Sequence, residues 1–167
     1  MDQLWAPWRL AYVTQEKKPT NDDPCFICRG LGEKQDRKNL IVHRSERGVV
    51  LLNRFPYNNG HLLIAPQAHK GEVTDLSPEE LLDTLQLIQQ YVAEIKKLMS
   101  PDGFNIGLNQ GAAAGAGLPG HLHWHVVPRW HGDTNFMPVF SDVKVIVQSL
   151  DALYSLLTDQ PSSQKAY

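Results

Sequence analysis

The sequence predicts an α+β domain: an antiparallel sheet of about five strands, one long helix and a short C-terminal helix. Three observations carry this. Short β-rich runs are separated by turn residues, one long segment carries an apolar stripe at helical spacing, and one apolar run has histidine at every second position. A chain of 167 residues is long enough for one domain with a sizeable core, and no internal repeat divides it. The formal charge of −2 leaves no electrostatic footprint for a polynucleotide, whereas a mononucleotide needs only a local site. No apolar run approaches a membrane span and the N-terminal residues lack a secretory pattern, so a cytoplasmic protein is expected.

Residues 1–24 mix Trp5, Trp8 and Tyr12 with the polar stretch from Gln15 to Asp23, the pattern of an arm laid over a surface or a partner subunit. The single domain is expected over residues 25–158, followed by a frayed tail, 159–167. Strands are expected at Ile41 to Arg44, Gly48 to Asn53 and Leu62 to Ala65, with Tyr57-Asn58-Asn59-Gly60 turning a hairpin. Ser77-Pro78-Glu79-Glu80 combines an N-cap, a proline at the first helical position and an acidic residue at the third, so a helix begins there. Leu81, Leu85, Ile88, Val92, Ile95 and Met99 give it one apolar face, for packing on the sheet or on a second copy. Pro101-Asp102-Gly103 stops it, and Phe104 to Asn109 and His121 to Val127 read as two further strands. Beyond Pro128 the pattern gives a strand at Val143 to Val147 and a helix at Leu150 to Leu157.

The chemistry concentrates in His121-Leu-His-Trp-His-Val-Val-Pro128. On a strand, alternate side chains share a face, so His121, His123 and His125 line one surface while Leu122, Trp124 and Val126 enter the core. Imidazole is near neutral at physiological pH, which suits it to act as nucleophile, base or ligand; a loose metal site or a chance cluster is the bland alternative. Immediately upstream, Asn109 to Gly120 is a loop of small residues whose unobstructed amides are suited to an anion.

These residues resemble the histidine-triad (HIT) family of nucleotidyl hydrolases and transferases. The likeness extends through Asn53 to Pro66, with its Gly60-His61, then His69, Gly103-Phe104-Asn105 and Arg129-Trp130. Leu4-Trp-Ala-Pro-Trp-Arg9 and Gly132 to Phe136 are similar to a bacterial branch that includes diadenosine tetraphosphate phosphorylases. The resemblance implies the same α+β fold as a homodimer and an enzyme cleaving dinucleoside polyphosphates at the α-phosphorus. It makes His123 the nucleophile, through a nucleotidyl-histidine intermediate, with phosphorolysis favoured over hydrolysis. His125 then contacts phosphate oxygens, His121 buttresses the nucleophile and Asn109 orients the phosphate. Many relatives carry a Ser or Thr shortly before the first histidine where this chain has Gly117-Leu118, so leaving-group protonation or binding of a second phosphate falls to the amides of Ala116 and Gly117, beside the nucleotide-binding Gly115, or to another side chain, and water and phosphate both stay open as acceptor.

Asn53 and His61, eight residues apart, take the places of a ribose-contacting side chain and of a histidine near the nucleotide. On the residues alone, a turn-capping asparagine and a satisfied core histidine remain alternatives. The base is expected against Phe26, Leu51 and Leu52. Cys25 and Cys28 are spaced as metal or redox ligands, although two reduced cysteines in a packed loop fit as well; a redox pair lacks the expected helix start. By resemblance to zinc-binding relatives, Cys25, Cys28, His69 and His121 hold a structural Zn²⁺, with no organic cofactor. Two other functions compete: hydrolysis of nucleoside phosphoramidates or adenylyl groups, and a nucleotide-binding adaptor with vestigial catalysis.

Overall fold

The structure is a computed structural model, and it describes residues 25–134 and 145–159. The arm expected over residues 1–24 and most of the tail lie outside the described residues. Five antiparallel strands form the sheet in the order β1-β2-β3-β5-β4: β1 Ile41–Arg44, β2 Gly48–Leu52, β3 Leu62–Pro66, β4 Gly103–Leu108 and β5 Trp124–Arg129. Helix α1, Phe26–Glu33, and the single turn α2, Asp36–Asn39, precede the sheet. Helix α3, Pro78–Met99, connects β3 to β4, and α4, Leu150–Thr158, follows β5. Among the described residues no helix is long and apolar enough to cross a membrane.

The long helix starts where Ser77 and Glu80 close a capping box: Ser77 Oγ accepts from the Glu80 amide and Glu80 Oε2 accepts from the Ser77 amide. Its buried seam is Thr84, Leu87, Ile88, Tyr91 and Ile95, so Leu85, expected inside, is 49% exposed. The helix meets a wide sheet surface, which selects a stripe rotated from the one counted by apolar residues alone. With α4 it covers one face of the sheet, over Val50, Leu52, Leu62, Ile64, Leu122, Trp124 and Val126. On the other face α1 brings Ile27 against Ile41, Val49, Leu51, Leu63 and Ala65. Strands covered on both faces explain why β2 and β3 are buried along their whole length.

Three expectations need correction. Helices α1 and α2 carry no strong sequence signal because Gly30 and Gly32 depress helix propensity. Close packing decides instead: a Cβ on Gly30 would lie 3.2 Å from Asn39 Cβ and 3.3 Å from Ile41 Cδ1. The strand expected at His121 to Val127 begins at Trp124. Its partner β3 ends at Pro66, which has no N–H to continue the ladder, and the Leu122 amide turns to the Lys70 carbonyl at 2.7 Å. Of the strand expected at Val143 to Val147, the described part, Val145 to Val147, forms no strand, while Val143 and Lys144 lie outside the described residues.

Candidate active site and metal centre

Register places the chemistry. Leu63 pairs with His125 across β3 and β5, so His125 shares the face of the sheet that α1 covers, and Trp124 and Val126 point to the opposite core. The alternation continues upstream of the strand, with Leu122 only 2% exposed in that core. His121 and His123 are buried at 0% and 6% exposed, and the rings of His123 and His125 stand 5.1 Å apart. The β4–β5 pairing, Gly107 with His125 and Leu108 with Trp124, sets Asn109 opposite His123 when its register is continued.

Backbone groups that can act in only one sense fix where each ring proton sits. His123 Nδ1 lies 2.8 Å from the His121 carbonyl, which only accepts, so Nδ1 carries the proton and Nε2 keeps a lone pair. The Tyr57 amide, which only donates, meets His61 Nδ1 at 3.0 Å. Asn53 Oδ1 accepts from the Phe55 amide at 2.9 Å, turning Asn53 Nδ2 toward the same His61 nitrogen at 3.2 Å. His61 therefore bears its proton on Nε2 and donates it to His125 Nδ1, 2.9 Å away. By the same logic His125 carries its own proton on Nε2. Burial, reinforced by the neighbouring His123, pushes His125 down from an ordinary imidazole value to about 4, so it is a neutral N–H donor at pH 7. The Tyr57 ring lies nearly parallel to that imidazole, with centroids 5.5 Å apart.

Asn53 is thus both a turn former and the group that orients His61, its Nδ2 lying 3.2 and 3.4 Å from the two ring nitrogens. In the glycine-rich loop, the Gly115 amide donates to the Ala112 carbonyl and the Ala116 amide to the Gly111 carbonyl, so two of the three amides expected at the nucleotide are engaged within the loop. The loop curls into a 3₁₀ turn, Ala112–Ala114, closed by Gly115 at φ +86°, where the sequence reading expects an open run of small residues. Leu51 and Leu52 face opposite sides of the sheet. Only Leu51 shares the histidine face, where it packs with Ile27, the chain neighbour of the partly exposed Phe26. Leu52 is therefore a core residue of the far face and not part of a base pocket. The contribution of Tyr57 is invisible to sequence reading, because a backbone N–H and a ring stack leave no sequence signature.

The cysteine pair lies beside the same histidines. Cys25 caps α1, contrary to the expectation that no helix starts there, and its Sγ lies 3.2 Å from His121 Nδ1. Cys28 Sγ is 3.3 Å from His69 Nδ1 and 3.5 Å from His121 Nδ1, and all four donor atoms fall within 4.8 Å of one another. Tetrahedral zinc with sulfur and imidazole ligands has edges of about 3.3 to 3.8 Å, which the three contacts at 3.2 to 3.5 Å approach, and a donor set of two thiols and two imidazoles suits that ion although the full set spreads to 4.8 Å. His121 passes a stricter test. Its Nε2 donates to the Pro66 carbonyl at 2.8 Å, which leaves the Nδ1 lone pair aimed at the sulfurs in a ligand's tautomer. Burial also holds the His121 ring below its ordinary pKa, keeping that lone pair free of a proton.

A HIT-domain family model matches residues 34–132, more than half of the chain, and leaves the cysteine pair outside the match. The chain is 36% identical over 168 aligned residues to a protein of Mycobacterium tuberculosis named AP-4-A phosphorylase, covering 98% of this chain and 86% of that one. It is 30% identical over 115 residues to a Schizosaccharomyces pombe protein named asymmetrical bis(5'-nucleosyl)-tetraphosphatase, covering 68% and 63% of the two chains. Among solved structures, a zinc-bound histidine triad family protein from Mycobacterium smegmatis superposes with a TM-score of 0.65 at 24% identity, covering 81% of this chain and 91% of the other. That likeness carries the fold. The family match and the relatives at 30% identity and above establish that this chain belongs to the HIT family and is one of its enzymes.

Proposed function

We propose that the chain cleaves dinucleoside polyphosphates of the diadenosine tetraphosphate kind at the α-phosphorus through nucleotidyl-His123, with inorganic phosphate preferred to water as acceptor. The observation that carries this reading is the His123 ring, whose Nδ1–H is tied to the His121 carbonyl so that Nε2 presents a lone pair beside a neutral donor, His125. In the first step a bond forms from His123 Nε2 to the α-phosphorus. The bond to the leaving polyphosphate breaks, and its electron pair stays on the departing oxygen. The imidazolium that results is stabilised by the carbonyl at Nδ1, and the nonbridging oxygens receive the His125 Nε2–H and the Asn109 amide. In the second step an oxygen of phosphate or water bonds to phosphorus as the phosphorus–Nε2 bond breaks, its electron pair returns to Nε2, and an attacking water releases its proton to solvent. The names of the relatives, one a phosphorylase and one a tetraphosphatase, support this substrate class, and the fuller coverage of the phosphorylase supports phosphate as acceptor.

Asn53 serves the ribose through its side-chain amide, His61 orients His125, and the Gly117 amide is the loop group left for a second phosphate; Gly115 and Ala116 support that loop from within. Cys25, Cys28, His69 and His121 would hold zinc, and with four protein ligands the ion would supply rigidity rather than a reacting atom. Free thiols facing imidazoles support a reducing, cytoplasmic setting. A homodimer is supported by β4, the last strand of the sheet, with Ile106 48% exposed, and by the exposed Leu82 and Leu85 of α3. The test is incubation with diadenosine tetraphosphate with and without inorganic phosphate. ADP plus ATP formed only with phosphate is the expected result; AMP plus ATP in water identifies a hydrolase, and no turnover leaves the adaptor reading.

A further inference from the structure

One residue belongs to both halves of the site. The His121 ring is a member of the Cys25/Cys28/His69 cluster, and the His121 carbonyl holds the proton of the nucleophile. Ring and carbonyl share one Cα, so a ring fixed in the cluster narrows the backbone positions open to the carbonyl. The segment around His121 is anchored to the same cluster from both sides. Upstream, a Cβ on Gly71 would stand 2.9 Å from the Pro119 carbonyl and one on Gly120 would stand 3.3 Å from His69 Nε2, so the two segments are in direct contact. Downstream, the Leu122 amide donates to the Lys70 carbonyl at 2.7 Å. At the far end of the glycine-rich loop, Gln110 Oε1 accepts from the Val73 amide at 3.0 Å. The turn that carries His69 thus clamps both ends of the loop and the residue behind the nucleophile.

We infer that closure of the Cys25/Cys28/His69/His121 cluster around a divalent metal positions the catalytic histidine: with the site filled, the His121 carbonyl is held where it selects the Nδ1–H form of His123, and with the site empty that selection relaxes. The inference rests on the zinc and nucleophile assignments above. It gives the cluster a consequence beyond stability. His69, which is exposed and belongs to the cysteine cluster, becomes a positioning residue whose loss is felt at His123. The metal would accept lone pairs only from its four ligands and would take no part in bond making or breaking at phosphorus; its effect would be on geometry, as outer-shell partners act on the ligands of a metal.

The experiment uses the full-length protein, zinc-loaded and then stripped by a chelator, with metal counted by elemental analysis. Ring ¹H–¹⁵N correlation spectra report which nitrogen of each histidine bears the proton. In loaded protein His123 is expected as the pure Nδ1–H tautomer; in stripped protein it becomes a mixture, and cadmium alone restores the first spectrum. The rate follows, kcat falling about tenfold while KM stays within twofold, because ground-state binding does not use the tautomer. A second preparation, His69→Gln, loosens the cluster without touching the His121–Pro66 bond, and is expected to show the same mixture. An unchanged His123 tautomer in folded, metal-free protein overturns the inference while leaving the nucleophile assignment intact. Unfolding of both preparations overturns it in favour of a purely structural metal. Absence of stoichiometric metal from the purified protein instead overturns the zinc assignment on which it rests.

Discussion

Replacing His61 with phenylalanine tests the hydrogen-bond chain that holds the His125 proton. His61 is 1% exposed and is packed by the Tyr57 and His125 rings, with centroids at 4.6 and 5.1 Å, so an aromatic ring of similar volume preserves the packing. The losses include the donor to His125 Nδ1 and the acceptor for the Tyr57 amide and the Asn53 side-chain amide. Without the His61 N–H, His125 is free to carry its proton on Nδ1, and the fraction that still presents Nε2–H to phosphate falls. Removing one preorganised donor outright costs about 10² to 10³ in kcat; since the proton is redistributed rather than deleted, a loss of about 10- to 100-fold is expected. KM should change little, because the contact strengthens as charge develops in the transition state. The Tyr57 amide points at a ring that is buried, so the loss of its acceptor should lower stability by about 1 to 3 kcal/mol. Steady-state cleavage of diadenosine tetraphosphate and urea unfolding measure the two effects separately. A kcat within threefold of the parent would refute the relay, and a loss of stability beyond that range would show that His61 acts mainly as a core residue.

Further expectations concern neighbouring residues. His123→Asn should retain nucleotide binding, read by calorimetry, and lower kcat by about 10³-fold or more, because an amide cannot replace the attacking lone pair. Asn53→Ala should raise KM several-fold and erase discrimination against the 2′-deoxy substrate, a loss of about 1 kcal/mol, with a smaller fall in kcat through the released His61. Asp133 accepts from Arg129, the Trp130 amide and Asn58, and those partners, Arg129 first, hold its carboxyl well below the usual carboxylate range. Its depressed folded pKa means that its stabilisation is present above about pH 4, the unfolded value, and is lost as pH falls further. Asp133→Asn should lower stability at pH 7 by about 1 to 2 kcal/mol and remove part of that acid dependence, as followed by urea titrations between pH 3 and 7. A parallel acid profile in the variant would show that another carboxylate is responsible.

The sequence by itself determined which elements exist wherever a short-range rule governs them. The capping box at Ser77 and Glu80 starts α3 at the expected residue, since the groups that close it lie within one turn. Alternation alone put Leu122, Trp124 and Val126 in one core, even though the ladder starts only at Trp124. The four residues Cys25, Cys28, His69 and His121 were legible through resemblance, and the fold brings their ligand atoms together across 96 positions of chain. Tertiary structure decided the rest. The helix that Cys25 caps forms because Gly30 lets it approach Ile41, a gain that propensity cannot anticipate. The stripe of α3 that is buried was chosen by the sheet, which leaves Leu85 in solvent. Above all, the position of each ring proton depends on backbone carbonyls and amides that every residue possesses: the His121 carbonyl for His123, the Pro66 carbonyl for His121 and the Tyr57 amide for His61. Side-chain identity names the groups that can do chemistry, but backbone groups carry no identity, so only their placement in space reveals which nitrogen is left to react.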